Sequence, residues 1–339
     1  MRAGLALALL IGIAGCERLG DAVVERGLSR ADAALLRSPD LTVVLCGTGS
    51  PLADASRAGA CTAIVAGGQL LLVDVGPGAW ESADLAGLPV AELSGILLTH
   101  FHSDHIGDLG EAMTQSWIGG RRAPLSVHGP PGTARVVAGM VEAYAQDADA
   151  RAALHGAEHM PRAAAAAVAH EVAPPDDPAA AATVLDRDGL RVRMFRVDHP
   201  SVEMAVGYRF DFRGRAVVIS GDTTAATALA RHAHGADILI HEALQPDLVD
   251  RVGRVARRTG RSRLADMLDD GLTYHTSPRD AAVVAERAGV RTLVLSHLIP
   301  SPNNVLLRRQ FVAGLAEVFG GEVVVGRDGQ RFSLPPAGG

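Results

Sequence analysis

Six consecutive residues, His100-Phe101-His102-Ser103-Asp104-His105, carry four side chains able to hold a metal ion. Imidazole nitrogens and carboxylate oxygens in one cluster suit zinc and other borderline divalent cations. His100 and His102 are two apart, so an extended segment turns both rings to one side. Asp104 and His105 then turn to offer a second set. Further on come Asp198-His199, Ser220-Gly221-Asp222-Thr223, Ile240-His241-Glu242-Ala243, Tyr274-His275-Thr276-Ser277 and Leu295-Ser296-His297. Taken singly each is weak. Ser-Gly-Asp-Thr is equally a helix N-cap, and a lone histidine is more often a core or surface residue.

The elements that must position these residues are short apolar strands. Leu41–Leu45 opens one, and Ala63–Val65 and Leu70–Val73 flank Gly67-Gly68, a hairpin signal. Ile96–Thr99 runs directly into the histidine-rich loop. Leu125–Val127 stops at Gly129-Pro130-Pro131-Gly132, and residues 133–145 read as helix. Residues 146–182, rich in Ala, Pro and Asp, read as a partly helical insertion with loop. A second block places strands at 192–197, 205–212 and 216–220, the last two joined at Arg213-Gly214, then a helix over 223–232 and a strand at 237–240. Residues 245–271 read as an Arg-rich helical insertion. A helix with Pro at its start (277–288), a strand at 292–295 and a helix over 304–318 follow. Two strand-rich blocks interleaved with helices predict an α/β fold, sheets faced by helices.

The chain has 339 residues, 48% hydrophobic and 21% charged, which implies a globular chain with a sizeable core. Aromatics are 4% and the formal net charge is -6, so neither base stacking nor a basic field favours nucleic acid. All 32 basic residues are Arg, which excludes lysine Schiff-base and P-loop chemistry. Gly47-Thr48-Gly49-Ser50, lacking that lysine, reads as a turn beneath the site. Cys16, Cys46 and Cys61 are too few for a Cys-rich zinc site. Cys46 and Cys61 read as small buried hydrophobes, with a disulfide between them left open. His155, His159, His170, His232 and His234 read as surface residues.

The His-x-His-x-Asp-His segment after a strand resembles the metallo-β-lactamase superfamily. Asp74-Val75-Gly76, Asp198-His199, Ser220-Gly221-Asp222-Thr223, His241-Glu242, His275-Thr276 and Ser296-His297 resemble its further motifs in order, His241-Glu242 and His275-Thr276 those of the ribonuclease Z-like branch and Ser296-His297 the last ligand. The resemblance implies a single-domain αββα four-layer sandwich over residues 41–335. It implies two Zn2+, other divalent metals being left open, one on His100, His102 and His199, the other on Asp104, His105 and His297, with Asp222 bridging. It further implies Asp104 as proton acceptor and His275 as general acid oriented by Glu242, with Asp74 and His241 standing behind the ligands. Separately, Met1–Gly15 and Ile13-Ala14-Gly15-Cys16 resemble a bacterial lipoprotein signal. That implies lipidation at Cys16, a tether over 16–40, and a lipid-anchored place in the periplasm or cell envelope.

Within the superfamily, an Asp at 222 resembles the phosphodiesterase, lactonase, thioesterase and sulfatase branches, since β-lactamases usually place a Cys there. Transfer-RNA-processing relatives carry an arm where only Asp211-Phe212-Arg213-Gly214-Arg215 stands here. Gly47–Pro51, Arg57-Ala58-Gly59 and Trp117–Arg121 are similar to exported arylsulfatase and small-phosphodiesterase relatives. The expectation is a di-zinc hydrolase of a small phosphodiester, aryl sulfate or related ester. A ribonuclease Z-type endonuclease and a non-catalytic binding protein are the alternatives. The partners expected are a small anionic or ester substrate and the membrane through the lipid anchor, with no nucleic acid. A homodimer is left open. The two insertions would rim the pocket, with Arg251, Arg254, Arg257, Arg258, Arg261 and Arg263 on a solvated helix face.

Overall fold

The strand β1 (Leu41–Gly47) is buried along its whole length. A strand in that position must be apolar on both faces, because it is covered on both. Leu41, Val43 and Leu45 face the second sheet, while Val44 and Cys46 face helices. The same division runs through β2 (Cys61–Ala66), β3 (Gln69–Val73) and β4 (Leu93–Leu97), while β5 (Leu125–Gly129) and β6 (Ala167–Glu171) complete the first sheet and pack apolar side chains on the helical side alone. The second sheet holds β7 (Ala182–Arg187), β8 (Leu190–Arg196), β9 (Val206–Phe212), β10 (Arg215–Ile219), β11 (Ile238–Leu244), β12 (Thr292–Ile299) and β13 (Glu322–Val325). A last strand, β14 (Arg331–Leu334), crosses back to pair antiparallel with β1. In this computed structural model residue 21 and residues 31–338 are described, apart from 201 and 226. The signal segment, Cys16 and most of the tether therefore lie outside the described residues.

The strand orders are β14-β1-β2-β3-β4-β5-β6 and β13-β12-β11-β10-β9-β8-β7. Tyr208, Phe210, Ile64, Leu71 and Val294 fill the space between the sheets. Each such enclosed side chain contributes about 1.5–3 kcal/mol of burial. The outer face of the first sheet packs on helices Ala79–Leu85, Leu109–Ile118 and Thr133–Ala143, through Trp80, Met113 and Val137. The outer face of the second packs on Thr227–His232, Pro278–Ala288 and Val305–Val312, through Leu229, Ala285 and Phe311. The result is the αββα layering that the motif order implies.

Four strands depart from the sequence reading. β6 lies inside the stretch read as insertion, β7 begins at its last residue, and β13 and β14 lie in a tail to which no strand is assigned. All four are edge strands or neighbours of chain ends, short and half-exposed, so they carry little of the alternation that marks a buried strand. The end of the tether also packs: Asp32 N donates to Gly87 O (2.9 Å), and Leu35 and Leu36 rest on the first sheet's helical layer. Residues 245–271 form two helices, Pro246–Arg258 and Ser262–Gly271. Their six arginines are exposed, Arg254 pairs with Asp250, and Arg257 pairs with Asp266 and Asp269.

Candidate metal centre

β3, β4 and β5 run parallel, as do β10, β11, β12 and β13. The residues singled out for chemistry sit at the C-terminal ends of these strands, where open α/β sheets place their sites. Asp74 follows β3, His100 and His102 follow β4, and Asp222 follows β10. Glu242 lies near the end of β11, and His297 near the end of β12. His199 lies in the loop after β8. Asp104 and His105 occupy the single turn Ser103–Ile106.

His297 owes its aim to a bulge. Glu242 pairs with Ser296 and Ala243 with Leu298, so His297 is the extra residue on β12, at φ 46°. A bulge re-aims one side chain without disturbing the strand on either side. Asp74 is likewise left-handed, at φ 59°. Such conformations cost about 1–3 kcal/mol each and persist where surrounding structure enforces them. Gly221, at φ 62°, turns the chain before Asp222, where a Cβ would meet Val206 O at 2.6 Å.

Two sets of ligand atoms result. His100 Nε2 faces His102 Nδ1 at 3.0 Å. His199 and Asp222 complete this first set, all four atoms lying within 4.8 Å of one another. Asp104, His105 and His297 form the second set. His297 Nε2 lies 3.0 Å from Asp104 Oδ2 and 3.4 Å from Asp222 Oδ2. Asp222 Oδ2 also lies 3.3 Å from His105 Nε2 and 3.8 Å from His100 Nε2, so this carboxylate joins both sets.

Neighbouring groups fix the ring tautomers. Thr99 Oγ1 donates to Asp74 Oδ2 (2.7 Å) and so accepts from His100 Nδ1–H (3.1 Å). His105 Nδ1–H donates to the same Asp74 Oδ2 (2.8 Å), and His199 Nδ1–H to Tyr274 O (3.2 Å). Each of these rings therefore turns an Nε2 lone pair into the cluster. One carboxylate, Asp74, orients two ligands. Asp74→Asn is expected to lower metal affinity about 10- to 100-fold, read by competition with a chromogenic chelator.

The donor set fits divalent cations. Asp74, Asp104 and Asp222 are buried, and among the described residues only histidines pair with them. His199 Nε2 and Asp222 Oδ1 are enclosed without a hydrogen-bond partner there, and His105 Nε2 makes none despite its approach to Asp222. Buried carboxylates and bare ring nitrogens of this kind need a cation among them. Burial lowers the pKa of His100, His102 and His199, favouring the neutral form a ligand must have. Burial opposes the charge on Asp104, but the His297 bond and the His105 ring hold its carboxyl below the usual range. An acid that strong stays ionised at neutral pH, as a ligand does, and is a feeble proton acceptor.

His275 and Glu242 stand beside this cluster, His275 sharing a 4.8 Å sphere with Asp222 and His297. Glu242 Oε1 accepts from His275 Nδ1 (3.1 Å), Thr276 N (3.0 Å) and Thr223 N (3.2 Å). Burial works against a charge on His275, yet Glu242 and that bond raise its pKa to about 9. His241 bonds its own neighbour's carbonyl, Glu242 O (2.8 Å), and is wholly buried.

Three supporting contacts have no signal in sequence. Thr99 links Asp74 to His100. Tyr208 OH donates to Leu98 O (2.7 Å), and Val206 N donates to Thr99 O (3.0 Å), tying the ligand loop to the second sheet. Cys46 and Cys61 form a disulfide. Ala60, next to Cys61, donates its N–H to Asp104 O (3.1 Å). His232, read as a surface residue, is buried, stacks on Phe195 and bonds Pro178 O (2.8 Å). Gly76 packs beneath the same loop. A Cβ there would sit 2.0 Å from Asp104 O. Gly76→Ala is expected to cost about 1–3 kcal/mol, as overpacking does, read by thermal unfolding with metal present and absent.

Two facing sheets with histidine-carboxylate sets at their strand ends define a metallohydrolase of the metallo-β-lactamase fold. The profile described as Beta-lactamase superfamily domain matches residues 70–298, and the chain belongs to that family. Among curated relatives, the protein of Mycobacterium bovis named Ribonuclease Z is 38% identical, with 87% of this chain and 99% of the relative covered. One of the same name from Mycobacterium marinum is 37% identical over the same shares. Among solved structures, the short form of human tRNase Z superposes with a TM-score of 0.62 at 20% identity, covering 87% of this chain and 99% of that one. The metallo-β-lactamase fold protein YhfI of Bacillus subtilis gives 0.58 at 20%, over the same shares. At that identity these two speak for the fold alone.

Proposed function

We propose that this chain hydrolyses phosphodiester bonds as a ribonuclease of the ribonuclease Z type, with two divalent cations, zinc first among them. The observation that carries the reaction is His275, held by Glu242 and set against Asp222 and His297. The substrate is supported by the identity to the mycobacterial relatives. This reverses the order expected from the sequence, in which a small ester came first. The missing arm does not separate the chain from them. An alignment of 301 positions takes in 87% of 339 residues, about 295, so the Mycobacterium bovis relative has room for only about six residues that this chain lacks.

Paired dications, when bound, supply Lewis acidity toward a phosphoryl oxygen and a water-derived nucleophile at neutral pH. The protein's own residues do the rest. Asp74 and Thr99 keep the ligand rings in one tautomer, and Asp222 holds the two sets in register. Glu242 accepts from His275 Nδ1–H and, by its charge, raises the ring's pKa to about 9, so at neutral pH the ring is the imidazolium and its second proton, on Nε2, is offered to the departing oxygen. Such an acid contributes about 10²–10⁴-fold.

One observation favours a second reading, a small phosphodiester or aryl ester outside the cytoplasm. The Cys46–Cys61 disulfide suits an oxidising compartment, in keeping with a lipid-anchored, exported protein. Metal-loaded protein is to be assayed on a precursor tRNA with a 3′ trailer, on bis(p-nitrophenyl) phosphate and on p-nitrophenyl sulfate. Cleavage at the trailer supports the first reading. Turnover of an aryl ester without RNA cleavage supports the second, and inertness on all three overturns both.

A further inference from the structure

Beside the metal centre runs a groove of about 710 Å³, within the range of roughly 300–1,000 Å³ typical of small-molecule sites. Phe101, Ile106, Val136, Met140 and Met204 line it. Phe101 lies between the ligands His100 and His102, and Ile106 follows the ligand His105. Its floor is built for a ring: Phe101 packs on Gly132, where a Cβ would meet Phe101 Cε2 at 2.7 Å. A neighbouring cavity of about 530 Å³ contains Asp198 and the ligand His199, and shares Val202 and Glu203 with the groove. The two cavities thus adjoin at Val202 and Glu203, and one of them is lined by His199 of the metal-binding set. Phe101, Ile106, Val136 and Met140 pack on the first sheet's helical core yet stay only partly buried, so they present uncovered apolar surface at the site. Arg135, on the same wall, makes no ion pair among the described residues and adds a cation suited to an anionic ligand.

We propose that this groove seats an aromatic group esterified to the phosphate at the metal centre, stacked on Phe101. The proposal rests on the phosphodiester reading, but the two fail separately. Gly139 gives the test. It lines the groove from helix Thr133–Ala143, and a Cβ there meets nothing within 4 Å. Gly139→Trp therefore attaches a large ring at a groove-lining position whose Cβ is unobstructed, and replaces a poor helix former by a better one.

The metal-loaded full chain is titrated calorimetrically with diphenyl phosphate and with dimethyl phosphate. The wild type is expected to bind the diphenyl ester about tenfold or more tightly, the return on burying one ring. In Gly139→Trp that preference disappears while dimethyl phosphate affinity stays within about twofold, about 0.4 kcal/mol by the tenfold-per-1.4 relation. Equal affinities in the wild type, or a preference that Gly139→Trp leaves intact, overturn the groove assignment. A protein that shows the preference but cleaves no phosphodiester upholds the groove and overturns the reaction. One that cleaves phosphodiesters without the preference does the reverse.

Discussion

Asp222→Ala is expected to abolish binding of at least one metal ion per chain and to lower phosphodiester turnover by about a thousandfold, the upper end for losing one stabilising group. Asp222 Oδ2 lies within 3.8 Å of ring nitrogens of His100, His105 and His297, and among the described residues no other carboxylate touches both ligand sets. Its removal leaves the His100–His102–His199 set with no anion, while Asp104 stays with the other. The second set should therefore retain metal better than the first. The fold should survive. In the metal-free protein Asp222 is paired with His105 and His297, so its loss should lower stability there too, and the diagnostic quantity is the gain on loading. The check is metal content by elemental analysis alongside the melting temperature with and without zinc. The wild type should gain stability on loading, and Asp222→Ala should gain much less. Asp222→Asn, which keeps the shape, should behave the same way if the charge is what counts. Two metals retained with turnover intact would remove Asp222 from its bridging place.

The clustered histidines and carboxylates were legible in the sequence because four of them crowd into six residues behind a strand that reads as apolar on its own. Asp222 was legible as a carboxylate at a strand end. The means of aiming the rings was less so. Nothing in Leu295-Ser296-His297-Leu298 announces a bulge, since the extra residue appears only when β12 is laid against Glu242 and Ala243 of β11. Thr99 is a strand-end threonine like many others until Asp74 and His100 close on its hydroxyl. The central strands of both sheets could be read from their apolar runs, whereas β6 and β14 could not. Ala167–Glu171 alternates half-buried with exposed positions at a sheet edge, where composition is free to be polar. The order between an RNA and a small ester shifts for a related reason. An acidic chain without an arm argues against RNA only if RNA-cleaving relatives have the arm, and relatives of nearly the same length do not permit that step.

His275→Ala should separate substrates by their leaving groups. For an RNA phosphodiester the departing oxygen is a strongly basic alkoxide, and loss of a positioned acid should cost about 10²–10⁴-fold in kcat. For bis(p-nitrophenyl) phosphate the departing phenolate is weakly basic and leaves without a proton, so the same variant should stay within about tenfold of wild type. A residue that merely propped up the ligand loop would lower both rates together. Metal content should be unchanged, since the seven ligands close two sets without His275. Glu242→Gln offers the complementary case. Glu242 Oε1 also takes the backbone N–H groups of Thr223 and Thr276, so an amide oxygen can keep the loop closed while removing the charge that holds the proton on His275. It should show the same leaving-group dependence in weaker form. Equal losses on both substrates in His275→Ala, with metal intact, would move His275 from proton donor to structural support and leave the departing oxygen to another group.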